Sequence, residues 1–175
     1  MPPRRILSLW FPRLAAERVV RAAPELAGRP LAVVADRRGA LVLAGLSAAA
    51  EAAGLGRGMA LGDARAILPD LVTRPADPAG LARSLAALRR CAGRFSPWVA
   101  EEPGEALVLD VTGCARLFGG EPGLVAQVAA EAGQLGLSLR LGLADTLGAA
   151  WVSPLAALSL AFCAASYSAR SPCAE

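Results

Sequence analysis

The chain of 175 residues contains no lysine, no asparagine and no histidine, and tyrosine occurs once, at Tyr167. Without histidine there is no imidazole for a general base and none for a zinc shell. The four cysteines, Cys91, Cys114, Cys163 and Cys173, form no CxxC pair, so a zinc site is not expected and they read as small buried apolar residues in a reducing cytoplasm. No serine lies in a GxSxG elbow. All 18 basic residues are arginine, against 15 acids, for a net charge of +3. Alanine, glycine, arginine, proline and leucine dominate, a bias that looks like a GC-rich genome, so the arginine count is partly a codon effect. The charge permits a nucleic-acid partner without demanding one. The N-terminus has no signal-peptide pattern, since its apolar run is short and broken by Pro12 and Arg13.

What is present is a hydrophobic chain, 55% apolar, long enough for one domain or a piece of something larger. Residues 5–11 read as a buried strand, with Pro12 suited to the first turn of a helix running to about residue 27. Strands are expected at 30–35 and 40–46 around a polar turn at 36–39. Ser47 can cap a small-residue helix stopped by Gly54. A short helix at 61–68 and a strand at 71–74 follow. A helix from Asp77 through Cys91 buries Leu81, Leu85, Leu88 and Ala92 and turns Arg83, Arg89, Arg90 and Arg94 outward. Strands at 98–101 and 106–111 are joined by an acidic turn. A helix at 123–135, a strand at 137–144 and a helix capped by Asp145-Thr146 close the pattern. Residues 146–169 carry no charge. A buried helix followed by a divergent or disordered tail is expected there rather than a membrane span. The order suits an α+β fold.

Candidate chemistry is sparse. The glycines of 54–58 follow a helix and lack a following Lys-Ser/Thr, so they read as a helix stop and not as a phosphate cradle. Arg83, Arg89, Arg90 and Arg94 are either a solvated helix face or a weak phosphate-binding surface. The local acidic cluster is Glu101, Glu102, Glu105 and Asp110. Asp110 sits at a strand end before Thr112-Gly113, where it either caps the turn or binds a metal. Two-metal chemistry needs converging carboxylates on adjacent strands, and the first strand has none.

Three phrases carry a family resemblance. Residues 5–18, RILSLWFPRLAAER, resemble the ILHxDxDxFFAxVE opening of Y-family (UmuC-like, translesion) DNA polymerases. Residues 30–59 resemble their PLAVxG…YEAR…GxxxGM section, and 107–119, LVLDVTGCARLFG, their LDVTG…LFG segment, with Asp110, Thr112, Gly113, Leu117, Phe118 and Gly119 as the matching positions. The resemblance implies a polymerase palm, a mixed or antiparallel sheet with helices on one face, and small inserted helical fingers. On this basis 1–24 and 79–153 are expected to form the palm, 25–78 a fingers-like insertion, and 154–175 a divergent tail, with thumb, little finger and clamp-binding parts missing.

Aligned residue by residue, the active positions are degenerate. Trp10 and Pro12 stand where acids hold metal and triphosphate, and Glu105 and Ala106 where the second acidic pair lies. Ala48 and Glu51 replace a tyrosine and an arginine that contact the triphosphate. The wording LSLWFPRLA, SPWV, LDVTGCARLFGGE and ADTxGAAW is similar to the ImuB-type, catalytically defective branch. That resemblance implies a non-catalytic role in DNA-damage-induced mutagenesis, bridging an error-prone replicative-type polymerase, an ImuA-type accessory protein and the sliding clamp. It implies no cofactor and no bound metal, weak DNA binding and a cytoplasmic, nucleoid-associated location. The alternatives are an active low-fidelity polymerase using Glu105, Asp110 and Mg²⁺, or an α+β binding module unrelated to DNA.

Overall fold

A computed structural model describes residues 4–152 and the strand segment 156–158. In chain order the elements are β1 (Ile6–Trp10), α1 (Leu14–Ala22), β2 (Leu31–Arg37), β3 (Ala40–Leu46), α2 (Ala48–Ala52), α3 (Leu61–Ile67), β4 (Val72–Pro75), α4 (Pro78–Ala92), β5 (Val99–Glu102), β6 (Ala106–Asp110), α5 (Glu121–Gln134), β7 (Leu139–Ala144), α6 (Leu147–Val152) and β8 (Ala156–Leu158). They form two compact units: residues up to Pro12 with those from Ala82 onward, and Arg13–Leu81.

The first unit is built on an antiparallel sheet of order β5-β6-β1-β7-β8. β1 is central, as an apolar run with no tolerance for an exposed edge should be. Side chains alternate along each strand, so the register aligns Leu7 with Leu109 and Leu143, and Leu9 with Leu107 and Leu141. All six leucines are buried, each stabilising the fold by roughly 2 kcal/mol through lost apolar exposure. α5 buries Leu124, Val128 and Ala132, spaced by one helical turn. A small cleft of about 40 Å³ is lined by Leu9, Leu107 and Leu139 together with Leu88 and Ala92 of α4 and Val128 of α5, so both helices meet the leucine face. α6 lies over the other face. There the Ser8 hydroxyl donates to the Ala150 carbonyl at 2.9 Å, and a Cβ on Gly142 would overlap that same carbonyl oxygen.

The second unit holds a three-stranded sheet, β3-β2-β4, in which β2 pairs antiparallel with β3 and parallel with β4. The β2–β3 turn is tighter than expected. Strand continues through Arg37, and Arg38 and Gly39 both take positive φ (56° and 83°), the two-residue geometry that matches strand twist. One side of this sheet buries Ala32, Val34, Leu43 and Leu46 with Ala50 of α2 and Ala64 of α3. The other buries Leu31 and Val33 against Ala15 and Ala16 of α1. That packing places α1 in the second unit, which therefore begins at Arg13 and not at 25. Gly45 permits the approach, since a Cβ there would come within 2.9 Å of the Ala15 Cβ. α1 ends at Ala22, short of the expected residue 27, because Pro24 has no N–H to continue it and a 3-10 turn, Pro24–Leu26, takes over. Ser47 caps α2 as expected, its Oγ accepting from Ala50 N at 3.3 Å. Gly54 and Gly58 take positive φ (88° and 84°), and Gly58 N donates to Leu43 O at 2.7 Å, so residues 54–58 are a turn rejoining β3.

Candidate functional site

Asp110 ends β6 and is tied into a structural joint. Its Oδ1 accepts from Thr112 N at 3.1 Å, and its Oδ2 lies 3.3 Å from Arg4 Nε. Thr112 Oγ1 accepts from Arg5 N at 2.9 Å, which sews the start of β1 to the end of β6. Hydrogen bonding by the Thr112 hydroxyl, then by its N–H, with the Arg4 charge, holds the Asp110 carboxyl below the usual range against the opposing effect of burial. Gly113 and Gly119 both take φ of 76°, and between them Cys114–Phe118 forms a 3-10 turn rather than the start of an α-helix. Phe118 packs its ring on Phe95 at 5.5 Å, while Leu117 is exposed. Of the two uses open to Asp110 from sequence, the geometry supports turn capping.

The palm's acidic positions lie at the other end of the sheet. The registers place Glu102, Ala106, Trp10 and Arg140 in one row across β5, β6, β1 and β7. Trp10 Nε1 donates to Gly104 O at 3.0 Å, and Arg140 Cζ stands 5.0 Å from the Trp10 ring centroid. Phe11 N donates to Glu105 O at 3.0 Å, and Glu105 has φ of 69°, strained for a non-glycine residue. A pair of divalent ions sits about 3.5–4 Å apart and needs shared carboxylates. Here the row presents a methyl group, an indole and a guanidinium, its one carboxylate, Glu102, stands two strands from Trp10, and Pro12 follows. Glu105 precedes β6 and Asp110 ends it, so the whole strand, roughly 13 Å from Ala106 to Asp110, lies between them. These residues do not fit a two-metal centre, and among the described residues no group of three or more His, Cys, Asp or Glu is placed to hold a metal.

Ala48 opens α2 with an exposed methyl group. Glu51 does not stand as an isolated charge: its Oε2 is 2.6 Å from Arg13 Nη2 and 2.8 Å from Nε, with both side chains largely shielded. Arg13 therefore offsets the negative charge of Glu51. Nothing local in the sequence links positions 13 and 51.

Arg83, Arg89, Arg90 and Arg94 are all exposed. Arg89 lies 3.9 Å from Glu101, and Arg94 3.0 Å from Glu131. Leu88 and Ala92 of α4 face the leucine side of the sheet, so these arginines lie on the far side from the Trp10 row. Sequence reasoning missed Arg140. Its only signal was a lone charge alternating with Leu139 and Leu141, and its meaning depends on strand register. Cys91 and Cys114 are half-buried, less than expected, while Cys163 and Cys173 lie outside the described residues. No helix among the described residues is long and apolar enough to cross a membrane. Of 146–169, the described part is α6 and residues 156–158, and the expected tail otherwise lies outside the described residues.

Comparison with known proteins gives the family and the fold. The impB/mucB/samB (IMS) family model matches residues 9–154. Protein ImuB of Caulobacter vibrioides, strain NA1000 / CB15N, is 42% identical over 98 residues, covering 56% of this chain and 21% of that protein. ImuB of a second strain aligns with the same figures. A DinB structure from Sulfolobus solfataricus superposes with a TM-score of 0.70 at 19% identity, covering 80% of this chain and 42% of that one. An insertion ternary complex of Dbh DNA polymerase gives 0.72 at 18% identity, with the same coverage. The aligned stretch thus spans about a fifth of the ImuB length and less than half of the solved chains. The two units together have the fold of a Y-family DNA polymerase domain, and the chain belongs to the impB/mucB/samB family.

Proposed function

We propose that this chain is a non-catalytic, polymerase-like module of DNA-damage tolerance, a scaffold for an error-prone polymerase. The observation that carries the reading is the Trp10 row: where paired strands of a two-metal enzyme would converge carboxylates, this sheet carries Ala106, Trp10 and Arg140. A guanidinium held over an indole supplies one positive charge and no metal ligand. The module needs no cofactor, binds DNA weakly and acts at the nucleoid. The likeness to ImuB supports partners of the kind inferred from the family: an error-prone replicative-type polymerase, an ImuA-type accessory protein and the sliding clamp. Arg83, Arg89, Arg90 and Arg94 add a diffuse, sequence-independent attraction to DNA.

Primer extension with Mg²⁺ or Mn²⁺ tests this. The chain should incorporate no nucleotide above a Glu105→Ala, Asp110→Ala control. Extension abolished by that double change would replace the scaffold with an active low-fidelity polymerase. Pull-down with the partner polymerase tests the scaffold role itself, and failure to retain either that polymerase or DNA would favour a module unrelated to DNA.

A further inference from the structure

Several arginines of the first unit engage carboxylates. Arg4 meets Asp110 at 3.3 Å, Arg5 meets Glu121 and Asp145 at 2.7 Å each, Arg89 meets Glu101 at 3.9 Å and Arg94 meets Glu131 at 3.0 Å. Arg140 is placed differently. It is exposed, and its guanidinium lies over the Trp10 ring, 5.0 Å from the centroid. Trp10 itself is fixed. It belongs to the central strand, pairs with Ala106 on one side and Arg140 on the other, and its indole N–H is held by Gly104 O at 3.0 Å. A cation over an indole ring is attracted to it, and a guanidinium so held keeps its fork of N–H donors. The acid in the same row, Glu102, is three strands away, roughly 14 Å across the sheet. Glu105 lies one residue before Ala106 at the β5–β6 turn.

We propose that Arg140, positioned by Trp10, binds a phosphodiester group of the DNA backbone on the sheet face that carries the Trp10 row. The inference rests on the DNA-related function proposed above and goes beyond it by assigning the contact. The chemistry fits. A planar guanidinium matches two phosphate oxygens, and an arginine already held over a ring gives up less side-chain freedom on binding than a free one. Its charge is covalent and permanent, so the contact requires no divalent ion. Arg83, Arg89, Arg90 and Arg94 lie beyond the opposite face, with Arg89 beside Glu101 and Arg94 beside Glu131, so they do not substitute for it in register or orientation.

The test uses the full chain and labelled DNA, single-stranded and duplex, titrated across a salt series with and without EDTA. Arg140→Gln should weaken binding about fivefold and lower the salt slope by about one. Arg140→Lys should restore the slope but not the whole affinity. Trp10→Leu should weaken binding with the slope kept, because the charge remains while its position is lost. Arg90→Gln should change affinity less than Arg140→Gln, and EDTA should change nothing. Should Trp10→Leu fail to fold, the exposed Arg140 variants still decide the matter. Unchanged affinity and slope in Arg140→Gln, or an equal loss in Arg90→Gln, would overturn the assignment while leaving DNA binding intact. A wild-type chain that binds no DNA at any salt would overturn both the assignment and the DNA binding on which it rests.

Discussion

Arg5 ties three elements of the first unit together. Its Nε and Nη2 grip both oxygens of Glu121 at 2.7 and 2.8 Å, and its Nη1 reaches Asp145 at 2.7 Å. Glu121 opens α5 and Asp145 precedes α6, so one guanidinium holds the starts of two helices to the start of β1. These hydrogen bonds, first to Glu121 and then to Asp145, raise the Arg5 pKa further above its already high value. Arg5→Met should cost about 1–3 kcal/mol, read as a lower urea midpoint, because both acids lose their partner. Arg5→Lys should recover only part, since an ammonium cannot bridge both oxygens of Glu121 and reach Asp145. Asp110 works by charge. Its folded pKa is lowered, so its contribution is present above the unfolded value near about 4 and is lost as pH falls through the folded value. Urea midpoints of the chain and of Asp110→Asn should therefore differ at neutral pH and converge in acid. A gap that persists in acid would show that the carboxyl acts through something other than ionisation.

Elements are joined here by small residues at close approaches. α6 rests on Gly142, and a methyl group there meets the Ala150 carbonyl oxygen and the Ser8 hydroxyl. Gly142→Ala should cost about 1–3 kcal/mol by overpacking, with hydrogen exchange rising first in α6. Unchanged exchange there would mean that α6 shifts without loss. Ser47 binds three backbone groups, accepting from Leu31 N at 2.9 Å and Ala50 N at 3.3 Å and donating to Arg29 O at 3.1 Å. Ser47→Ala should cost about 1–2 kcal/mol in thermal or urea unfolding, more than a peptide cap alone, because the lost hydroxyl also fixes the entry to β2. The capping half of this role was legible in the sequence. The bonds to Arg29 and Leu31 were not, because they depend on β2 and β3 lying side by side.

At the scale of the whole molecule there are separate cores, one of leucines on β1, β6 and β7 and others around β2 and β3. Leu107→Ala and Leu43→Ala each remove a fully buried side chain and should cost about 2–5 kcal/mol. Leu43→Ala should lower exchange protection chiefly within residues 13–81, and Leu107→Ala chiefly in β1, β6 and β7. Equal loss everywhere from either change would show a single cooperative unit in place of two.

Periodicity and turn chemistry in the sequence were enough to locate nearly every strand and helix, because alternating leucines, Ser47, Gly54 and Pro69 act within a few residues of themselves. That Trp10, Pro12 and Ala106 offer no carboxylate to a metal was also legible, since side-chain chemistry does not depend on where a residue folds. What Asp110, Glu51 and Arg140 do was decided only by tertiary structure. Asp110 meets Arg4, Glu51 meets Arg13, and Trp10 lies under Arg140 through partners 38 to 130 residues apart along the chain. Such pairings follow from strand register and helix packing, which depend on the whole sheet closing at once and leave no local trace in the order of residues.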